Sequence, residues 1–291
     1  MLKFLCVFLT ITYSPLCRGR RTSTSVDIVF TADNNQDYDF LSFSQQWPVT
    51  RCIFLAEKTK QNICAASSWF DEQRWTIHGI WPTRIGTISP AFCSKVKKFD
   101  VQQLEPFFDE LSEHWVDIGN DTSSTVLWKH EWVKHGTCCA ETALETEATY
   151  FSQGLQWLEK FNMTQILNAG GIVPGGVYKI THVHNMIHKE VKKVPSIHCD
   201  CSKNGVSYLS EIRLCFSKSL ELIDCHVTGN SEVVYGSAAS KSEIVTNCNL
   251  HADIIYPDNV PAVDCDINTI SSWVHIKLQK VYDFLKQTLV N

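Results

Sequence analysis

The sequence predicts a mixed fold of β-strands and amphipathic α-helices, stapled by disulfides. Three observations carry that reading. Strand-like stretches rich in β-branched and aromatic residues lie at 26–31, 38–47, 75–82 and 206–215. Stretches with apolar residues at helical spacing lie at 101–116, 141–161 and 273–290. The chain carries 13 cysteines, a framework expected only in an oxidising compartment. No linker or repeat divides the 291 residues, and 44% hydrophobic with 20% charged is ordinary globular composition.

The N-terminus sets the compartment. A single early Lys3 precedes the apolar run Phe4-Leu-Cys-Val-Phe-Leu-Thr-Ile11, which has the length of a signal-peptide core and is too short to span a bilayer. Residues 1–19 are therefore read as a signal peptide, with cleavage near Cys17–Gly19. Arg18-Gly-Arg-Arg21 has two readings, a solvated charge cluster and a basic processing site. No later stretch is long and apolar enough for stable membrane insertion. The expected location is extracellular, or a lysosomal or endosomal compartment on the same route. Removing Cys6 and Cys17 leaves 11 of the 13 cysteines, an odd number. Asn120-Asp-Thr122 and Asn162-Met-Thr164 are glycosylation sequons in that setting.

Along the chain, Val26–Thr31 and Tyr38–Trp47 read as strands joined by the turn Asp33-Asn-Asn-Gln36. The second ends at Gln45-Gln-Trp-Pro48, and Cys52 and Cys64 bracket a polar loop. Trp75–Pro82 reads as a strand with Thr76, His78 and Ile80 on one face and Trp75, Ile77 and Gly79 on the other. A lone core histidine is the bland account of His78, but Gly79 beside it lets a ligand or another backbone approach closely. Val101–Val116 has Leu104, Phe107, Phe108, Leu111 and Trp115 at helical spacing, with Pro106 marking a kink or a late start. Glu141–Phe161 reads as a helix with Tyr150, Phe151, Leu155 and Leu158 inward. Tyr178–His188 fits either a helix or a strand; a strand would put His182 and His184 on one face, the arrangement a metal site would need. Trp273–Val290 reads as an amphipathic helix. Docking on its own domain is its first reading; self-association or cell-surface binding is the second.

The chemistry concentrates in Trp128-Lys-His-Glu-Trp-Val-Lys-His-Gly-Thr-Cys138. On a helix, at about 100° per residue, Glu131, Lys134 and His135 share one arc with His130 at its edge, while Trp132 and Val133 point away. A surface helix with two ion pairs of about 0.2–0.5 kcal/mol each is the competing account. A zinc-hydrolase reading of His130-Glu131 fails on spacing, because His130 and His135 lie five apart, about 140° around a helix. Two histidines at separate sites, one beside a lysine and a glutamate, suit cleavage of an RNA phosphodiester. One takes the 2′-hydroxyl proton and the other supplies the leaving oxygen's proton, while the lysine stabilises phosphoryl charge. The net charge of −5 excludes holding nucleic acid by a polybasic surface, so such chemistry must be local. No cofactor and no metal is called for.

Together, Trp75-Thr-Ile-His-Gly-Ile-Trp-Pro82 and the 128–138 stretch resemble the two active-site signatures of the T2 family of secreted ribonucleases, animal type. The resemblance runs from about Val26 to about Pro257 and includes Gln46-Trp-Pro48, Tyr150-Phe151 and Pro195-Ser-Ile-His-Cys199. It implies an α+β fold, an antiparallel β-sheet flanked by α-helices, over a 26–257 ribonuclease domain followed by a 258–291 C-terminal extension. It also implies cleavage of single-stranded RNA through a 2′,3′-cyclic phosphate to 3′-phosphate ends. Carried over by position, His78 resembles the general acid and His135 the base. Glu131 and Lys134 resemble the residues that stabilise the pentacovalent phosphate, and His130 a phosphate contact. Trp81 matches a base-stacking position and Gln46 a second base site. Thr83 departs from the aspartate common there. The resemblance implies the pairs Cys52–Cys64, Cys93–Cys138, Cys199–Cys248 and Cys215–Cys225. Cys139, Cys201 and Cys265 are left over, and a Cys201–Cys265 bridge would tie down the tail. A binding or signalling protein on the same scaffold is the competing function class.

Overall fold

A computed structural model describes residues 37–59, 64, 73–119, 124–139, 142–226, 233–235 and 243–261. The expected leader, the strand expected at 26–31, the sequon at Asn120, the expected partner Cys265 and the expected C-terminal helix lie outside the described residues.

The chain forms an α+β fold around one mixed sheet. Its strands are β1 (Phe40–Gln46), β2 (Thr76–Thr83), β3 (Val177–Lys179), β4 (Ser196–Cys201), β5 (Ser207–Phe216), β6 (Leu222–Ile223), β7 (Val233–Tyr235), β8 (Ile244–Thr246) and β9 (Asp253–Ile255). The helices are α1 (Pro48–Thr59), α2 (Phe108–His114), α3 (Thr125–Lys134), α4 (Glu147–Lys160), α5 (Met163–Ala169) and α6 (Ile180–Val191). The sheet runs β2-β1-β5-β4-β8-β7, with β6 and β9 on β5 and β3 on β9. Its centre, β2-β1-β5-β4, is antiparallel as expected.

The sheet as a whole is not antiparallel, because β8 pairs with β4 in parallel and β9 with β5 likewise. The β8 pairing is short and depends on side chains. Asn247 continues the ladder, accepting from Cys199 N and donating to Cys199 O, and Thr246 donates to Ile197 O. The Cys199–Cys248 disulfide locks this edge.

Every residue of β1 is buried, so both sheet faces are covered. Leu41 and Phe43 join Ile77, Ile80, Ile212, Leu214 and Phe216 in the main core. There Trp157 of α4 stacks on Phe216 at 3.8 Å. The opposite face carries Ser42, Ser44 and Gln46 and, through the register, Gly79, Trp81, Glu211 and Arg213. That face holds the candidate site.

Several elements depart from expectation for identifiable reasons. The stretch after Pro48 is helix α1 and not a loop: Pro48 supplies the fixed φ suited to a first helical position, and Val49, Cys52, Ile53 and Ala56 form its buried stripe. The 101–116 helix is divided, with a 3₁₀ segment at Val101–Phe107 containing Pro106 and then α2. The tighter 3₁₀ winding alters the phase of the stripe, and Phe108 ends up 43% exposed while Leu104, Leu111 and Trp115 are buried. The 178–188 stretch is mostly helix α6, which sets His182 and His184 about 200° apart and removes the shared face that the metal reading required. Among the described residues no helix is long and apolar enough to cross a membrane.

The four disulfides joining described residues are Cys52–Cys64, Cys93–Cys138, Cys199–Cys248 and Cys215–Cys225. Cys201 is also disulfide-bonded. Cys139 is a free, buried thiol, and burial raises its pKa far above the ordinary range.

Candidate active site

His78 owes its position to an irregularity in β2. The pairing steps from Ser44↔Gly79 to Gln45↔Ile77, leaving His78 as an extra residue. Such a bulge re-aims a side chain. Strict alternation would put Ile77 and Ile80 on opposite faces. With the bulge both enter the core, and Gly79 and Trp81 share the site face, so the expected grouping of His78 with Ile80 is corrected. The outer edge of β2 is capped by side chains. The indole of Trp115 donates to His78 O at 3.0 Å, and the Tyr150 hydroxyl accepts from Ile80 N and donates to Ile80 O.

Helix α3 delivers the second group. Trp128 and Trp132 are buried and anchor it, the Trp128 indole donating to Trp115 O at 2.7 Å. Trp115 therefore ties the helix to the strand bearing His78. Glu131 is only 2% exposed, whereas His130 is exposed and Lys134 and His135 are half-buried. The helix stops at Lys134, and His135 caps it with φ −115°. The Cys93–Cys138 bridge and a bond from Phe92 N to Lys134 O hold the turn that follows.

Trp81 is the centre of the assembly. Its indole N–H donates to Glu131 Oε2 at 2.8 Å. The His78 ring meets it edge-on at 5.0 Å and the His135 ring lies at 5.6 Å. The Arg213 guanidinium lies over the indole at 4.9 Å. Beside it opens a cavity of about 190 Å³ lined by Ser42, Trp81, Thr83, Ser89, His135, Ser196 and Arg213, among others. Thr83 turns its hydroxyl to Trp81 O. Gln46 stands at the far end of the Ser42–Ser44 row, 8% exposed, with its amide 3.5 Å from Ile77 O.

The electrostatics separate the two histidines. Burial acts to lower the pKa of His78, but the Glu211 carboxylate bonded to it and the Glu131 charge outweigh burial and raise it. Burial, then the positive charges of Lys134 and His130, push His135 down to about 3, and its Nδ1 has no hydrogen-bond partner. Burial pushes Glu131 up to about 7 against the pull of His78 and Trp81. The site thus holds an imidazole biased to carry a proton, another biased to lack one, and a carboxyl between the two states near neutral pH.

Ligand atoms of His130, Glu131 and His135 lie within 4.8 Å of one another, the sole such grouping among the described residues. The 140° separation that argued against this holds only along a continuous helix, and the turn at His135 brings the groups together. The Lys134 ammonium, whose charge acts on all three, opposes a second cation there.

The model of the ribonuclease T2 family matches residues 38–225. The chain belongs to the ribonuclease T2 family. It is 32% identical to "Ribonuclease Oy" of Magallana gigas over 203 residues, 68% of this chain and 92% of the relative. It is 31% identical to "Intracellular ribonuclease LX" of Solanum lycopersicum over 197 residues, 66% and 79% of the two chains. Among solved structures, a variant of RNase MC1, a bitter gourd seed ribonuclease, in complex with 5′-UMP superposes with a TM-score of 0.61 at 25% identity. The match covers 76% of this chain and 99% of that one. As a T2-family member the chain is a ribonuclease. Sequence reasoning missed Glu211 and Arg213, which lie on the site face of β5.

Proposed function

We propose that this T2-family ribonuclease cleaves single-stranded RNA by transphosphorylation, with His135 as base and His78 as acid. The observation that carries the reading is the pair of histidines flanking Trp81 with opposite protonation preferences. Neutral His135 takes the 2′-hydroxyl proton as the 2′-oxygen attacks phosphorus. Protonated His78 gives its proton to the departing 5′-oxygen, leaving a 2′,3′-cyclic phosphate. Water then opens the ring to a 3′-phosphate with the two roles exchanged. Lys134, with Glu131 in its protonated form, offers donors to the phosphoryl oxygens as charge builds there. His130, exposed next to them, contacts the phosphate. Trp81 and the cavity beside it receive a base, and Gln46 lines a second base site.

The ribonuclease unit on this reading spans 26–257. The packing of Trp47 supports its extension beyond the matched segment, since the Trp47 indole donates to Pro257 O at 2.8 Å. The leader and the disulfides support a secreted or endolysosomal protein, with Asn162 as a glycan site. Cleavage without metal is supported by Lys134, which occupies the place in the charge balance that a cation would take.

The decisive test incubates the purified protein with RNA in EDTA between pH 4 and 8. Cyclic-phosphate products are expected throughout. In the free enzyme His135 has already lost its proton across this range, since its pKa is about 3, and activity should fall as Glu131 loses its own, about pH 7, and as His78 does. His78→Asn and His135→Asn should each cost on the order of 10²–10⁴ in rate. Loss of cleavage in EDTA, restored by a divalent metal, would overturn the metal-free reading.

A further inference from the structure

His78 does not stand alone: its Nδ1 lies 2.7 Å from Glu211 Oε1. Glu211, whose side chain is 17% exposed, spends its other oxygen on Ser44 Oγ at 3.2 Å and on Arg213 Nε and Nη2 at 3.1 and 2.7 Å. Arg213 in turn lies over Trp81. Three strands are joined here, Ser44 from β1, His78 and Trp81 from β2, and Glu211 and Arg213 from β5, all directed to the site face.

We propose that Glu211 is the positioning residue of His78, and that Arg213 holds Glu211 in place. The inference rests on the reading of His78 as the acid. A carboxylate on Nδ1 fixes the ring orientation and leaves the Nε2–H edge for the departing oxygen. It also stabilises the imidazolium, the form an acid must start from, while the fork of Arg213 keeps the carboxylate ionised and aligned. The charges around His78 agree. Glu211 and Arg213 face it from β5, Glu131 and His130 from α3 and His135 from the turn beyond. The carboxylates outweigh burial and the cations. Glu211 is itself held well below the carboxylate range, since Arg213 and His78, with His198 of β4, outweigh its burial. A carboxylate that only braced the sheet against Arg213 would have no need of the histidine.

The test compares RNA with a nucleoside 3′-(p-nitrophenyl phosphate), whose leaving group needs no acid, in the wild type, Glu211→Gln and His78→Asn. Glu211→Gln should lose about tenfold to a hundredfold in kcat on RNA with KM little changed. The part of the high-pH limb set by His78 should move to lower pH, and the activated ester should be cleaved at near wild-type rate. Glu211→Asp should recover part of the loss. If His78→Asn is as damaged on the ester as on RNA, the acid assignment itself fails. If His78→Asn spares the ester but Glu211→Gln loses equally on both substrates, with its pH limb unmoved, the positioning role fails alone. Histidine ¹⁵N NMR of the wild-type protein guards against a misfolded variant. Above its pKa, His78 should keep its proton on Nδ1, and a proton found on Nε2 would overturn the proposal.

Discussion

At the scale of single residues, Gly79 decides whether the site can assemble. A Cβ at this position would fall on the Glu131 carboxylate and the Trp81 indole nitrogen, the two ends of one hydrogen bond. Gly79→Ala should therefore separate α3 from β2, costing about 1–3 kcal/mol by overpacking and far more in activity than in stability. Steady-state kinetics with thermal unfolding checks this; a variant that unfolds earlier but keeps full activity would show that the close approach does not matter. Sequence inspection already singled out Gly79 for close approach, without saying what approaches. Glu211 went unnoticed because a carboxylate in a strand is usually solvated. The signal was Glu211-Ile-Arg213, an acid and a base two apart on one face of a strand whose other face carries Ile212 and Leu214.

At the scale of elements, α3 carries a buried carboxyl that the fold would be more stable without. Glu131 has its pKa raised from 4.5 to about 7 by burial. The folded state thus holds this proton more tightly than the unfolded chain, and the associated stability is complete below about pH 4.5. It is lost as pH climbs through about 7. That interval is worth roughly 3 kcal/mol. Glu131→Gln, which keeps an acceptor for Trp81 and a donor for the phosphoryl oxygens, should retain part of the activity and be more stable than the wild type, by a margin that grows from pH 5 to pH 8. Urea unfolding at both pH values measures it, and an equal margin at both would refute the assignment. The apolar backing of α3 was readable from Trp128 and Trp132. Its end at Lys134 was signalled only by Gly136, one residue past the cap, and that end brings His130 and His135 together.

For the whole molecule, the disulfides secure a sheet whose edges are short. Cys199–Cys248 spans 49 residues and joins β4 to the segment after β8, where only Ser196 and Ile197 pair with it. Closing a loop of that length is worth about 4 kcal/mol in the chain-entropy model. The double variant Cys199→Ala/Cys248→Ala should lose about that much stability, while kcat at 25 °C stays near wild type because His78, Glu131 and His135 lie beyond β5, on β2, α3 and the turn after it. Calorimetry and an RNA assay test the two halves of this statement, and a large fall in kcat would place the β8 edge in the site's support.

The sequence by itself determined the chemistry available: two histidines in two recognisable segments, a glutamate and lysine beside one of them, tryptophans around both, and cysteines for the disulfides. Those are choices of residue type and local spacing, and they can be read one segment at a time. Only the tertiary structure decided how the groups are biased. The bulge that turns His78 to the site, the early end of α3 and the burial that drives His135 and Glu131 in opposite directions depend on what packs from elsewhere in the chain. So does the carboxylate of Glu211, which reaches His78 across 133 residues. Register and burial are sums over distant segments, and no window of sequence contains them.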